Sequence, residues 1–397
     1  MKELRTFFEM TSLSLLPLLV LFLALCGPLR GEGGKGTGPA VAAAPSEAPA
    51  ASHDPAVKAP MPLPAPETAL PVLPEPAAAE REDEPAPAEP APAPEAEEEG
   101  EAAEALRTVT HDADVTVDIL FGSRVESMCL RDYLLGVVAS EMPASFEPAA
   151  LEAQAVAART DTFYRLLVAR PHANAASCTD PGCCKAYLGP EELRRRWGED
   201  YDRWASKIAA AVDATDGEVL TWEGEPIFAA FHACSEGYTE ASEDVWVAAL
   251  PYLRSVPTPE TEADVPSFRS TARFSGEELR SIIAAKVPDA VLPEDPAAWL
   301  GGEMLSASGR LLALEVGGVT LSGSAFRRLL GLRSAKISWS YGEYGVFTFE
   351  TAGYGHGVGL SQYGAEAMAR AGENCESILL HYHPGTLLAD LAEVFPG

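Results

Sequence analysis

Between residues 37 and 107 the chain is built mainly of Pro, Ala and Glu, and this stretch limits where a fold can form. Sixteen of the 33 prolines fall between positions 39 and 94. Proline fixes φ and supplies no amide proton, so it interrupts helices and sheets alike. Residues 80–104 hold eleven acidic side chains and one Arg, net −10 of the chain's −30. With almost no aromatic or β-branched residues, such a segment cannot bury enough apolar surface to offset its chain entropy. An extended, self-repelling, disordered linker is expected over residues 31–108. A core must then lie between residues 109 and 397, which hold all six Trp. That region is still acidic without the linker, which argues against nucleic acid as a partner.

The first thirty residues read as a membrane signal. Lys2 and Arg5 precede an apolar run at 13–25, and residues 10–29 carry no charge. Counted generously, the run reaches bilayer-spanning length. It is either a cleaved signal peptide or an uncleaved signal-anchor. Leu25 before Cys26 is poor for lipoprotein cleavage, and the long spacer that follows favours the anchor. A single-pass anchor would place the folded unit outside the cytoplasm; cleavage would secrete it.

Within the folded unit, residues 133–164 read YLLGVVASEMPASFEPAALEAQAVAARTDTFY. Glu141 closes an apolar element that Met142-Pro143 must end, because the residue before proline avoids the helical region. A second helix starts at Pro148, a good first-turn residue, and runs to residue 164. It carries Gln154 and Arg159 among small side chains. A Glu at the end of an apolar element suits a general acid of raised pKa. The same residues equally describe a plain helical hairpin.

The remaining pattern mixes helices and strands, which predicts an α+β fold: one catalytic unit over 109–397 with a smaller inserted lobe at 258–334. A strand pair is expected within 109–127, one helix over 191–213, and a hairpin from 218–222 to 226–231. Residues 231–246 (FHACSEGYTEASEDVW) read as a loop. In the tail, Gly353, Gly355, Gly357 and Gly359 surround His356, and such density places backbone close to another segment or a ligand.

Three groups carry possible chemistry. His356 has no bulky neighbours to shield it. His232 and Ser235 suggest hydrogen bonds to a polar substrate; no strand–turn–helix nucleophile elbow supports a serine hydrolase. His172, Cys178 and Cys184 are equally spaced, His-x5-Cys-x5-Cys, and suit tetrahedral zinc with one position left over. Pairing of Cys178 with a neighbouring Cys is the alternative. The absence of an HExxH pattern argues against a peptide-cleaving zinc hydrolase.

Four motifs in order resemble the stage II sporulation protein D family: YLLGVVASEMP…LEAQAVAARTDTFY, FHACSEGYTEASEDVW with PYLRSV, LSGSAFRRLLGLRS, and GYGHGVGLSQYGAEAMARAG…ILLHYHPGT. They span nearly all of residues 109–396. The resemblance implies a peptidoglycan lytic transglycosylase acting on denuded glycan strands in septal thinning and engulfment. It implies Glu141 as catalytic acid, with Gln154, Arg159, His232, Ser235 and His356 along the substrate groove. It also implies zinc at His172, Cys178 and Cys184, structural and not needed for the chemistry. The implied partners are the glycan strands and stage II sporulation proteins P, an amidase, and M, a membrane scaffold. A related branch, the amidase enhancers, supplies the alternative of a non-catalytic wall-binding protein. The chain departs from the family pattern at Asp161, Glu236 and Tyr382-His383.

Overall fold

The computed structural model describes residues 111–394, apart from 170, 247 and 343. The expected signal-anchor and the linker lie outside the described residues. Among the described residues, no helix is long and apolar enough to cross a membrane.

The fold is α+β. Strands β1 (Thr116–Phe121) and β2 (Arg124–Cys129) form an antiparallel hairpin. The short β3 (Ser177–Cys178) adds parallel to β1. Helix α1 (Leu130–Glu141) follows β2 directly. It ends where the sequence requires: Met142, held before Pro143, is extended at φ −119° and ψ 146°.

Helix α2 (Pro148–Tyr164) is the centre of the molecule, with thirteen of its seventeen residues buried. A helix buried all round must let its neighbours approach closely. The run of Ala side chains permits this. Packed on it are α1, α4 (Tyr201–Ala214), α8 (Gln362–Arg370), α9 (Cys375–Tyr382) and β4 (Glu218–Trp222).

Two sequence expectations need correction here. The helix expected over 191–213 is two: α3 (Pro190–Trp197) and α4, parted by a 3-10 turn that begins at Gly198. Gly198 has φ +54°, which ends α3. The expected hairpin return is cut to β5 (Glu225–Pro226). On its other side β4 pairs with β14 (Leu387–Asp390), from the end of the chain. Residues Phe231–His232 instead form β6, parallel to β13 (Leu360–Ser361).

There are two main hydrophobic cores. The first gathers α1, α2, α4, β4 and the tail, and has no fully buried member between Leu253 and Val358 among the described residues. The second lies between Leu279 and Phe349. It is built from α6 (Gly276–Lys286), α7 (Gly323–Leu329) and two three-stranded sheets. One sheet is β8 (Leu300–Leu305), β9 (Leu311–Val316) and β10 (Val319–Ser322); the other is β11 (Ile337–Tyr341), β12 (Val346–Ala352) and β7 (Arg269–Ser275). Ser275 caps α6 in a reciprocal box with Glu278, the Ser-x-x-Glu pattern of a helix start.

A buried ion pair ties the two cores together. Arg310, at the start of the β9 arm, pairs with Glu240 at 3.4 Å and donates to the Gly355 carbonyl at 3.2 Å. Its guanidinium covers Gly357, where any Cβ would lie 2.5 Å from Cζ. The departures from the family pattern find partners as well. Glu236 pairs with Lys336 and Arg269, and the Tyr382 hydroxyl shares a hydrogen bond with Thr258.

Candidate functional site

Glu141 occupies the last turn of α1 and is half-buried. Its Oε1 accepts the Ala186 N–H at 2.8 Å. Gln362, the first residue of α8, directs its Nε2 at Oε2 (3.5 Å) and at Gln154 Oε1 (3.2 Å). Burial pushes the Glu141 carboxyl above its ordinary value, and the Ala186 and Gln362 bonds and nearby Lys185 only partly oppose this. The negative end of the α1 dipole acts in the same direction as burial. The carboxyl is therefore poised to hold a proton and give it up locally.

Linkage fixes the sign of a stability effect. Below the ordinary value of 4.5 both folded and unfolded chains are protonated here, so the group contributes nothing. As pH rises towards the higher folded value, the unfolded chain loses its proton first and stability falls; above that value the loss is constant. Glu141→Gln cannot ionise. It should become more stable than wild type across this window and keep that margin at neutral pH, as thermal denaturation of both proteins from about pH 4 to pH 8 would show.

A strap of residues 183–188 holds Ala186 in place. Lys185 is buried and pairs with Asp161 of α2, which also takes Arg165 at 2.7 Å. Tyr187 stacks on buried Tyr133 with ring centroids 5.8 Å apart. The Leu188 N–H donates to the Gly136 carbonyl at 3.3 Å. Gly136 is what lets the strap lie on α1, since a Cβ there would meet the Tyr187 ring at 2.2 Å and the Leu188 carbonyl at 2.8 Å. Gly136→Ala should therefore lower the melting temperature despite a helix-propensity gain of about 1 kcal/mol, because overpacking costs about 1–3 kcal/mol. A variant as stable as wild type would contradict the strap's role.

Around the start of the strap the structure brings the sequence-predicted metal residues together. His172, Cys178 and Cys184 converge, and Cys183 joins them; the four ligand atoms lie within 4.8 Å of one another. His172 Nε2 is 3.3 Å from Cys184 Sγ, and Arg165 Nη1 sits 3.4 Å from the same sulfur. Three sulfurs and an imidazole form a donor set that fits zinc.

His232 and Ser235 form a second cluster with His356. His232 Nδ1 faces the Val358 carbonyl at 3.2 Å and Nε2 faces Ser235 Oγ at 2.7 Å. With Nδ1 donating, Nε2 accepts the Ser235 hydroxyl. Arg310 donates to that Oγ at 3.1 Å. Burial, aided by Arg310 and by the other imidazole, holds His232 well below its ordinary value. Burial, with Arg327 and Arg310, lowers His356 to about 3. Both rings are thus neutral at pH 7. His232 and Ser235 are buried, whereas His356 is half-buried and lines a small recess of mixed character, with Glu240, Asp244, Arg310 and Arg327 beside apolar Val245, Leu311 and Leu312. The β13–α8 junction joins the two clusters: Ser361 is the strand partner of His232, and the next residue, Gln362, reaches Glu141.

Arg159 is placed elsewhere. It is fully buried, donates from Nε and Nη2 to Asp112 at 2.7 and 2.6 Å, and reaches the Glu218 carbonyl at 3.1 Å. Residues that sequence reading passed over include Gln362, Lys185, Cys183, Arg310 and Glu260. Buried Glu260 accepts from the Ser235 N–H and the Ser361 hydroxyl at 2.8 and 2.5 Å. Only Cys183 had a local signal, its adjacency to Cys184.

A family model described as stage II sporulation protein matches residues 122–222. The chain is 38% identical over 270 residues to stage II sporulation protein D of Bacillus subtilis (strain 168), an alignment covering 67% of this chain and 76% of that protein. The chain belongs to the stage II sporulation protein D family. The protein D of Bacillus amyloliquefaciens matches with the same identity and coverage. The amidase enhancer of Bacillus subtilis (strain 168) is 29% identical over 314 residues, covering 64% of this chain and 40% of that protein. Family membership supports a sporulation role at the cell wall. The matched segment holds Glu141, Gln154, Arg159, the strap and the whole Cys/His cluster; His232, Ser235, His356 and Gln362 lie beyond it.

Proposed function

We propose that this family member is a lytic transglycosylase that cuts the MurNAc–GlcNAc bond of denuded peptidoglycan strands and leaves 1,6-anhydroMurNAc ends. The observation that carries the reading is the state of Glu141: half-buried, raised in pKa, oriented by Ala186 and Gln362, with Lys185 as the charge that acts on it. Most glycosidases need two carboxylates, about 5–5.5 Å apart in retaining enzymes and farther apart in inverting ones. A transglycosylase needs one, because the sugar supplies its own nucleophile.

Glu141 gives its proton to the leaving GlcNAc O4 as the C1–O4 bond breaks. The MurNAc O6 attacks C1, and the O6 proton returns to the Glu141 carboxylate. No water is consumed, and Glu141 ends as it began. Gln362 holds the carboxylate and is itself held by Gln154, while His356 and the charged side chains beside it offer hydrogen-bonding groups to sugar hydroxyls. His232 and Ser235 support that surface from beneath. Activity should fall as pH rises through the folded pKa of Glu141, since the acid form is needed.

The second reading, a wall-binding amidase enhancer, is favoured by the similarity to that protein. The test is incubation of purified full-length protein with denuded strands. Soluble anhydromuramyl products from wild type that vanish with Glu141→Gln support the enzyme. No products from either, with stimulation of an added amidase, would replace it with the enhancer.

Within the same reading, His172, Cys178 and Cys184 hold a structural zinc, which would supply a rigid cross-link and no catalytic step. The N-terminal segment anchors the protein, with the catalytic unit outside the cytoplasm. Sporulation proteins P and M are the proposed partners.

A further inference from the structure

The three expected metal ligands would leave the fourth position of a tetrahedral zinc open. The structure assigns that position to Cys183. Zn–S bonds of about 2.3 Å at tetrahedral angles place two sulfurs about 3.8 Å apart, and a sulfur and an imidazole nitrogen about 3.6 Å apart. Cys183 Sγ lies 3.8 Å from Cys184 Sγ and 3.6 Å from His172 Nε2. Both separations match those of a shared metal. A disulfide would need the sulfurs about 2.05 Å apart.

The backbone prepares this arrangement. The Cys183 and Cys184 N–H groups both donate to the Asp180 carbonyl, at 3.0 and 2.8 Å. The Gly182 N–H donates to Asp180 Oδ1 at 2.8 Å. That turn lets two consecutive cysteines aim at one point. Cys178 is fixed separately, in β3 against β1. Arg165 offsets part of the negative charge of three thiolates.

The inference rests on the zinc reading above and adds two claims to it. The site is closed, Cys3His, as structural zinc sites are, and has no position for a metal-bound water. Its effect on the reaction passes along the strap. Cys184 is two residues from Ala186, whose N–H the Glu141 carboxylate accepts. Zinc pins the start of this segment, the Lys185–Asp161 pair and the Tyr187 stack hold the rest, and Glu141 is aimed as a result.

The test uses metal-free full-length protein titrated with zinc against a chromophoric chelator, and with cobalt(II) as a spectroscopic probe. Wild type should bind one zinc and give a tetrahedral cobalt spectrum with thiolate charge-transfer intensity for three sulfurs. Cys183→Ser should lose one third of that intensity and lose zinc affinity by more than the ~10–100-fold typical of outer-shell changes. Cys184→Ser should behave alike. Cys183 is exposed, so a serine there should leave the fold intact. A second readout needs no variant: Cys183 should be alkylated quickly in metal-free protein and be protected when zinc is loaded. Equal affinity and cobalt spectrum in Cys183→Ser, or alkylation unchanged by zinc, would overturn the fourth-ligand assignment alone. No zinc binding by wild type would overturn the metal reading with it.

Discussion

Glu141→Gln should reduce glycan cleavage by roughly a hundred- to ten-thousandfold, the usual contribution of a positioned general acid. Glutamine keeps an oxygen for the Ala186 N–H and fills the same space, so strand binding should survive. What is lost is the proton that the leaving O4 needs. Because burial opposes ionisation of the wild-type carboxyl, the inactive variant should also be the more stable protein at neutral pH. Side-by-side assays of turnover, strand binding and melting temperature check all three parts. Loss of activity together with loss of stability would mean that Glu141 holds the fold and does no chemistry.

Arg159→Ala should do the opposite and destabilise the protein by about 3–5 kcal/mol, because it leaves Asp112 buried without its cation. Against a total stability of about 5–15 kcal/mol, that change is enough to unfold much of the population. Arg159→Lys should rescue only in part, since an ammonium cannot make the paired Nε and Nη2 bonds to Asp112. Denaturant midpoints measure both. A folded Arg159→Ala of normal stability with weakened strand affinity would return Arg159 to the substrate groove.

Arg159 also shows where sequence reading stops. Among small residues, near Gln154 and one helix away from Glu141, it resembles a groove residue. Its partner Asp112 lies 47 positions earlier in the chain, and nothing local marks the pair. Lys185 and Asp161 meet across 24 positions in the same way, so the strap over α1 could not be foreseen. Elements with local signals were legible. The start of α2 follows from Pro148, and the end of α1 from Met142-Pro143. The convergence of the Cys/His cluster was legible in three of its four members. Equal spacing favoured Cys184 over Cys183, whereas folding brings in both.

In the proposed reaction one carboxylate and the sugar's own hydroxyl suffice. Digestion of denuded strands in water enriched in oxygen-18, with the new chain ends analysed by mass spectrometry, should give 1,6-anhydroMurNAc ends that carry no label, because no water enters the bond. Reducing MurNAc ends bearing oxygen-18 would contradict it, and would require an activated water and a second group to activate it.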